Sequence, residues 1–222
     1  MMPRRCIRPG AALAGLLLAA LCAAARGAGA EAGDPYIWLE DVDGERAMQW
    51  VRAENAKTLG VLEKDPRFAP LHAQALAIAE ATDRLPTPAF VGGQIYNFWQ
   101  DADHVRGIWR RASLADYRKQ EPRWQTVLDL DALVAAEGGN WFWGGADCER
   151  PAEARCLIHL SEGGEDAFAA RELDVATAAF VKGGFQLPKG KQSVAWRDAD
   201  ELLVARDWGA GTMTTSGYPF VV

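Results

Sequence analysis

Ala89-Phe90-Val91-Gly92-Gly93-Gln94-Ile95-Tyr96-Asn97-Phe98-Trp99 reads as a strand, a tight glycine turn and a second strand. Aromatic and aliphatic side chains crowd both arms, and a Gly-Gly pair supplies the backbone freedom that a two-residue hairpin demands. The same texture continues downstream. Val105 to Leu114, Trp124 to Leu130, Arg155 to Leu160, Phe168 to Leu173, Phe180-Val181, Ser193 to Trp196 and Leu202 to Arg206 are short runs punctuated by Gly, Asp and Pro. Such a series predicts a mainly β meander.

A weak repeat lies inside it. Leu157-Ile158-His159-Leu160-Ser161, a Gly163-Gly164 turn and Ala169-Ala170-Arg171-Glu172-Leu173-Asp174 form one hairpin, and Leu202-Leu203-Val204-Ala205-Arg206-Asp207-Trp208 restarts the pattern about 45 residues after Leu157. That interval suits a four-stranded propeller blade, although a sandwich or an open barrel gives similar spacing. An insert from Asp131 to Ala154 stretches the earlier unit. Its Trp141-Phe142-Trp143 cluster, flanked by Gly138-Gly139 and Gly144-Gly145, reads as a glycine-rich loop, either an exposed aromatic contact or a hydrophobic plug. Trp99, Trp109, Trp124 and Trp196 sit within strand runs, where core packing is the default.

Upstream the period changes to helical. Asp43 is a good N-cap with Glu45 in the first turn, and Ala47, Val51, Leu59 and Leu62 fall on one face with Trp50 beside it. Lys64-Asp65-Pro66 ends that run. A second helix starts near Pro70, with Leu71, Ala75, Ile78 and Ala79 on its buried side, and Leu85-Pro86-Thr87-Pro88 closes it.

Composition places the 222 residues among globular chains, with 49% hydrophobic and 24% charged residues and a net charge of −6. Arg4, Arg5, Arg8 and Arg26 are unbalanced by any acid in the first 30 residues, so without them the chain carries −10. That charge argues against nucleic acid and anionic membrane as partners. The beginning predicts a secretory signal over residues 1–30: a basic start, an apolar run from Ala11 to Ala25, and Ala28-Gly29-Ala30 before Glu31, with cleavage between Ala30 and Glu31. The run is too short to span a bilayer, so no membrane association is expected once it is removed. Cys22 hints at lipidation, which Leu21 before it disfavours. Export leaves Cys148 and Cys156, a plausible small-loop disulfide; two reduced thiols are the alternative.

Chemistry within the chain is sparse. His159-Leu160-Ser161-Glu162-Gly163 is a degenerate nucleophile elbow, but Gly163-Gly164 reads as a hairpin turn and no histidine follows Ser161. His72 falls on a helix and His104 in a charged turn. Gly190-Lys191-Gln192-Ser193 has the wrong spacing for a phosphate loop. Glu40-Asp41, Asp101 with Asp103, and Glu165-Asp166 occur in turn-like settings. No cofactor, metal or catalytic residue is expected.

Asp34-Pro35-Tyr36-Ile37-Trp38-Leu39-Glu40-Asp41, followed by Trp50-Val51-Arg52-Ala53-Glu54-Asn55, resembles the amino-terminal signature of the prolyl oligopeptidase family of serine peptidases. Gln94 to Trp99, Gly107-Ile108-Trp109-Arg110 and Val127-Leu128-Asp129-Leu130 look like that family's first propeller strands. Asn140-Trp141-Phe142-Trp143 and the segment from Cys156 to Trp208 look like a bacterial exported branch. The resemblance implies a helical arm over 31–84 that packs on a hydrolase domain, then an incomplete propeller over 85–222. About two to three blades of a seven-bladed ring would fit there. It implies short peptides as substrates, often cut after proline, and a carboxy-terminal α/β-hydrolase domain as partner. The Ser, Asp and His of the family lie in that domain and match no position here. The expectation is therefore a periplasmic or secreted propeller portion without activity of its own; a stand-alone secreted β-rich binding module is the alternative.

Overall fold

The computed structural model describes residues 34–222 apart from residue 42. The signal reading, the Ala30–Glu31 cleavage point and Cys22 lie outside the described residues. The chain divides into two units, Met1–Pro70 and Leu71–Val222.

In the first unit a 3-10 turn, Ile37–Glu40, leads to helix α1, Glu45–Leu62. The N-cap of α1 is Gly44 in an extended conformation, not Asp43. Gly44 takes that place because its amide already closes a turn onto the Asp41 carbonyl at 3.0 Å. Ala47 is the one buried residue of α1. Helix α2, Phe68–Ala79, crosses the unit boundary and has no buried residue. Leu71 and Ile78, expected on its buried side, are 59% and 70% exposed. Among the described residues no apolar surface covers that face.

The second unit is built from three antiparallel sheets. Sheet 1 runs β1 (Ala89–Val91), β2 (Gln94–Trp99), β3 (Ile108–Ser113), β4 (Gln125–Asp129), each strand beside its sequence neighbour. Sheet 2 runs β5 (Trp141–Cys148), β6 (Arg155–Glu162), β7 (Phe168–Asp174) and β8 (Ala179–Phe180), with β9 (Gln186–Gly190) also pairing with β7. Sheet 3 is the hairpin of β10 (Ser193–Asp198) and β11 (Glu201–Ala205). Gly92-Gly93 and Gly163-Gly164 turn the β1–β2 and β6–β7 hairpins at positive φ, where only glycine sits without strain. The 45-residue interval joins equivalent second strands, since Leu157 lies in β6 and Leu202 in β11.

The segment expected as an insert is regular structure. Helix α3 (Leu114–Tyr117) follows β3, and helix α4 (Leu130–Glu137) follows β4. Asp129 caps α4 by accepting from the Ala132 amide at 2.9 Å, and Gly138 ends it at φ 77°. Trp141 and Trp143 then belong to strand β5, not to a loop. The Gly144-Gly145 pair makes a bulge: the register with β6 shifts between Trp143 and Gly145. Gly144 lies so close to His159 that a Cβ there would stand 3.1 Å from the His159 carbonyl oxygen. Glycine marks close strand approach here, not disorder.

Sheets 1 and 2 pack face to face. Tyr96, Trp109, Val127, Leu128 and, from α4, Leu130 and Leu133 meet Cys156, Ile158, Leu160, Leu173 and Val175. Trp143 stacks on Phe98 at 5.1 Å and lies 5.5 Å from Trp109, whose ring is 4.7 Å from Tyr96. The Arg111 guanidinium crosses the same interface, donating to the Val175 carbonyl and to Gln125 Oε1 at 2.9 Å. Trp196 ties sheet 3 to sheet 2, donating to the Asp147 carbonyl at 2.8 Å. No described helix is long and apolar enough to cross a membrane.

Candidate functional site

Because strand side chains alternate, β2 and β3 present a second face, turned away from sheet 2. Tyr96, Phe98 and Trp109 point to the core; Asn97, Trp99 and Arg110 point the other way. There Trp99 and Arg110 line an open cavity of about 600 Å³ bordered by the segment from Thr82 to Pro86 and by Tyr117, Lys119 and Trp124. Arg110 is the most extensively contacted of these side chains. The guanidinium carbon is 4.2 Å from the Trp99 ring centroid and 4.4 Å from that of Trp124, a clamp by two indoles. Its Nε donates to Asn97 Oδ1 at 3.0 Å, and Asn97 Nδ2 in turn donates to the Thr87 carbonyl at 3.1 Å. Arg84 covers the outer Trp99 face at 4.7 Å and donates to the Gln100 carbonyl. Tyr117 packs edge-on to Trp124 and its hydroxyl donates to the Pro86 carbonyl at 3.1 Å.

Burial pushes the Arg110 pKa down to about 10, with Asp101 opposing the shift, so the side chain is a cation at neutral pH. Asp101 itself is engaged. It accepts from Trp99 Nε1 at 2.8 Å and contacts His104 Nδ1 at 2.8 Å. Burial raises its pKa, but these hydrogen bonds outweigh it and hold the carboxyl below its ordinary range. Among the described residues Arg110 makes no ion pair and its terminal nitrogens have no acceptor.

The other sequence-derived candidates scatter. The Asp34–Asp41 segment folds on itself: Asp34 Oδ1 accepts from the Tyr36 amide at 2.8 Å and Trp38 Nε1 donates to the Pro35 carbonyl at 2.9 Å. Trp38 is clamped between Arg46, at 4.1 Å, and the edge of Trp50, at 6.2 Å. Leu39 and Val51 are half-buried, while Tyr36, Glu40, Asp41 and Asn55 are exposed. The signature residues thus secure the entry of α1. Cys148 and Cys156 are directly opposed across β5 and β6 and joined by a disulfide. Ser161 Oγ donates to the Glu165 carbonyl at 2.6 Å, inside a strand hairpin. Gln192 is buried in the β9–β10 connection, bonded to the Phe168 and Pro188 carbonyls. No group of three or more His, Cys, Asp or Glu among the described residues is placed to hold a metal ion.

His159 is stacked on Phe168 at 4.3 Å and its side chain is only 14% exposed. Its Nε2 stands 3.3 Å from Asp147 Oδ2 without a directed hydrogen bond. Burial lowers its pKa and Asp147 only partly offsets this. The folded value therefore lies below the unfolded one, near 6.5. This group's stabilisation is complete above that pH and lost as pH falls through the folded value. Urea midpoints should drop between pH 7.5 and pH 5, and His159→Gln should flatten that part of the profile.

Comparison with known proteins agrees with this architecture. Residues 24–216 match the family model described as "Prolyl oligopeptidase, N-terminal beta-propeller domain". The chain is 50% identical over 192 residues to an uncharacterised peptidase of Sinorhizobium fredii, covering 86% of this chain and 26% of that one. It is 27% identical over 190 residues to an uncharacterised peptidase of Rickettsia prowazekii, covering 82% and 26%. A post-proline cleaving enzyme from Rickettsia typhi superposes with a TM-score of 0.75 at 28% identity, over 82% of this chain and 28% of that one. The fold is thus a partial β-propeller preceded by a short helical arm, and the chain belongs to the prolyl oligopeptidase family. It is an N-terminal propeller portion of that family and spans about a quarter of the length of the curated relatives it matches.

Proposed function

We propose that these residues form the lid of a serine-type oligopeptidase, restricting which peptides reach a carboxy-terminal α/β-hydrolase domain that is not among them. One observation carries this: likeness to peptidases runs without interruption from the amino-terminal signature through the third sheet, at 50% identity to the Sinorhizobium fredii relative. The post-proline cleaving enzyme of Rickettsia typhi supports proline-containing peptides as the substrate class. Catalysis would belong to the hydrolase domain, because Ser161, the best nucleophile candidate here, is committed to a hairpin hydrogen bond. Export to the periplasm or medium is part of the proposal, supported by the leader pattern of residues 1–30 and by the Cys148–Cys156 disulfide.

A chimera tests it. Residues 34–222 replace the matching segment of the Sinorhizobium fredii peptidase, and hydrolysis of a short proline-containing peptide is compared with that of a folded protein. The expected result is cleavage of the peptide alone, with residues 34–222 by themselves cleaving neither. Serine-inhibitor-sensitive hydrolysis by residues 34–222 on their own would overturn it. So would a folded chimera that cleaves the folded protein as readily as the peptide.

A further inference from the structure

We propose that the Cys148–Cys156 disulfide is a redox-sensitive clasp between sheets 1 and 2. Closed, it holds the β5–β6 turn against the β1–β2 turn; reduction by a dithiol releases that hold without unfolding the sheets. The two cysteines are the last pair of the β5–β6 ladder, so the bond sits at the root of the turn formed by residues 149–155. That turn is docked on another sheet. Glu153 Oε2 accepts from the Gly92 amide at 2.6 Å, in the glycine turn of sheet 1, and Arg150 stands 3.9 Å from the other carboxylate oxygen. The Ala154 carbonyl accepts from the Val175 amide at 3.0 Å, and the Val175 carbonyl in turn accepts from Arg111 of β3. One short turn thus reaches sheet 1 by two routes, both made of groups on sheets 1 and 2 or in their connections.

The turn does not hold its shape unaided. Glu153 has φ 52°, a left-handed conformation that a residue with a side chain keeps only where its surroundings enforce it. Besides the disulfide, the ties across the turn are hydrogen bonds. The Glu149 amide donates to the Arg155 carbonyl at 3.0 Å, the Glu153 amide to the Glu149 carbonyl at 2.9 Å, and the Ala154 amide to Glu149 Oε1 at 3.1 Å. Bonds at the end of an element open first, so cutting the covalent tie lets this end fray, relaxes Glu153 and withdraws its carboxylate from Gly92. The core is spared. Cys156 is fully buried among Ile158, Leu160 and Leu173, where a reduced thiol still packs as a small apolar group. Cys148 is half-buried and borders a cavity of about 290 Å³ lined also by Val194 to Arg197 of sheet 3, so exchange starts at its sulfur. A thiolate of the dithiol attacks Cys148 Sγ, the Sγ–Sγ bond breaks, and Cys156 leaves as a thiolate that takes up a proton. The second thiol of the reductant then attacks the mixed disulfide, freeing Cys148 as a thiol and leaving the reductant oxidised to its own disulfide. The clasp stands whether or not the chain serves a peptidase.

Hydrogen-exchange mass spectrometry of the protein at its full encoded length tests it, comparing the oxidised form with protein held in dithiothreitol under native conditions. Alkylation reports whether Cys148 and Cys156 have become free thiols. Both are expected to react while far-UV circular dichroism stays unchanged. Peptides covering residues 90–93 and 149–155 should then exchange about tenfold faster, the effect of losing one charge-assisted hydrogen bond. Peptides from β2, β3 and β6 should keep their protection. The double variant Cys148→Ser, Cys156→Ser should show the fast exchange with or without dithiothreitol. Because that variant could fail to fold, Glu153→Ala, which keeps the disulfide, supplies a second measurement: residues 90–93 should exchange fast already in the oxidised form, with little added by dithiothreitol. A disulfide that resists dithiothreitol in the folded protein, or reduction that leaves residues 90–93 protected, would overturn the proposal. So would reduction that unfolds sheets 1 and 2, or an undiminished response to dithiothreitol in Glu153→Ala.

Discussion

Trp109→Ala is expected to lower the unfolding free energy of the second unit by about 4 kcal/mol, the upper range for losing a buried aromatic ring. Trp109 is 5% exposed and stands where two layers meet. Its ring contacts Tyr96 within sheet 1 and Trp143 from sheet 2, and Phe98 stacks on the same Trp143. Removing it deletes transfer free energy, leaves a void between closely packed sheets and unseats three neighbouring rings at once. Trp109→Phe keeps most of the volume and should cost roughly a third as much. Urea denaturation followed by far-UV circular dichroism checks both. A loss of less than about 1 kcal/mol for the alanine variant would mean the sheets are not held together through this cluster.

Glu172→Ala should cost about 3 kcal/mol, because a buried carboxylate that organises a loop is lost with its partners left behind. The Glu172 side chain is 2% exposed. One oxygen pairs with Arg155 at 3.1 Å and the other accepts from the Phe185 amide at 2.7 Å. The Glu172 main chain also accepts from Val181 and donates to Phe185, both at 2.9 Å. The segment from Val181 to Phe185 is therefore wrapped around one residue. Glu172→Gln retains an acceptor for the Phe185 amide and should cost about 1 kcal/mol. Amide hydrogen exchange at Phe185 separates the two: protection should vanish in the alanine variant and survive in the glutamine variant.

The strands of sheets 1 and 2 were legible where aromatic and β-branched runs met glycine turns, as in β2, β6 and β7. What stayed hidden had local signals pointing two ways. Helix α4 lies behind an apolar run that reads as strand, although Asp129 before it and Gly138 after it are its caps. Strand β5 was obscured by two glycine pairs, which serve a bulge and a close approach to His159. Strand β9 contains Pro188, a residue that argues against strand. The family signature was plain because it is local. The Arg110 cavity was not. Alternation along Trp109-Arg110-Arg111 sends the two arginines to opposite faces, but Arg110 is held by Asn97 and Trp99 from β2 and by Trp124 just before β4, and only the folded sheet brings them together.

Pro188 has a consequence for how molecules of this protein meet one another. β9 pairs with β7 along one side, and its other side is the rim of sheet 2. A rim with every amide free would be a template on which a stray strand could crystallise. Proline subtracts a donor from that template, and the register shift opposite it bends what remains. The rim is thus a poor seed for fibrillar growth, a safeguard that matters most while the chain is newly made and crowded among its copies.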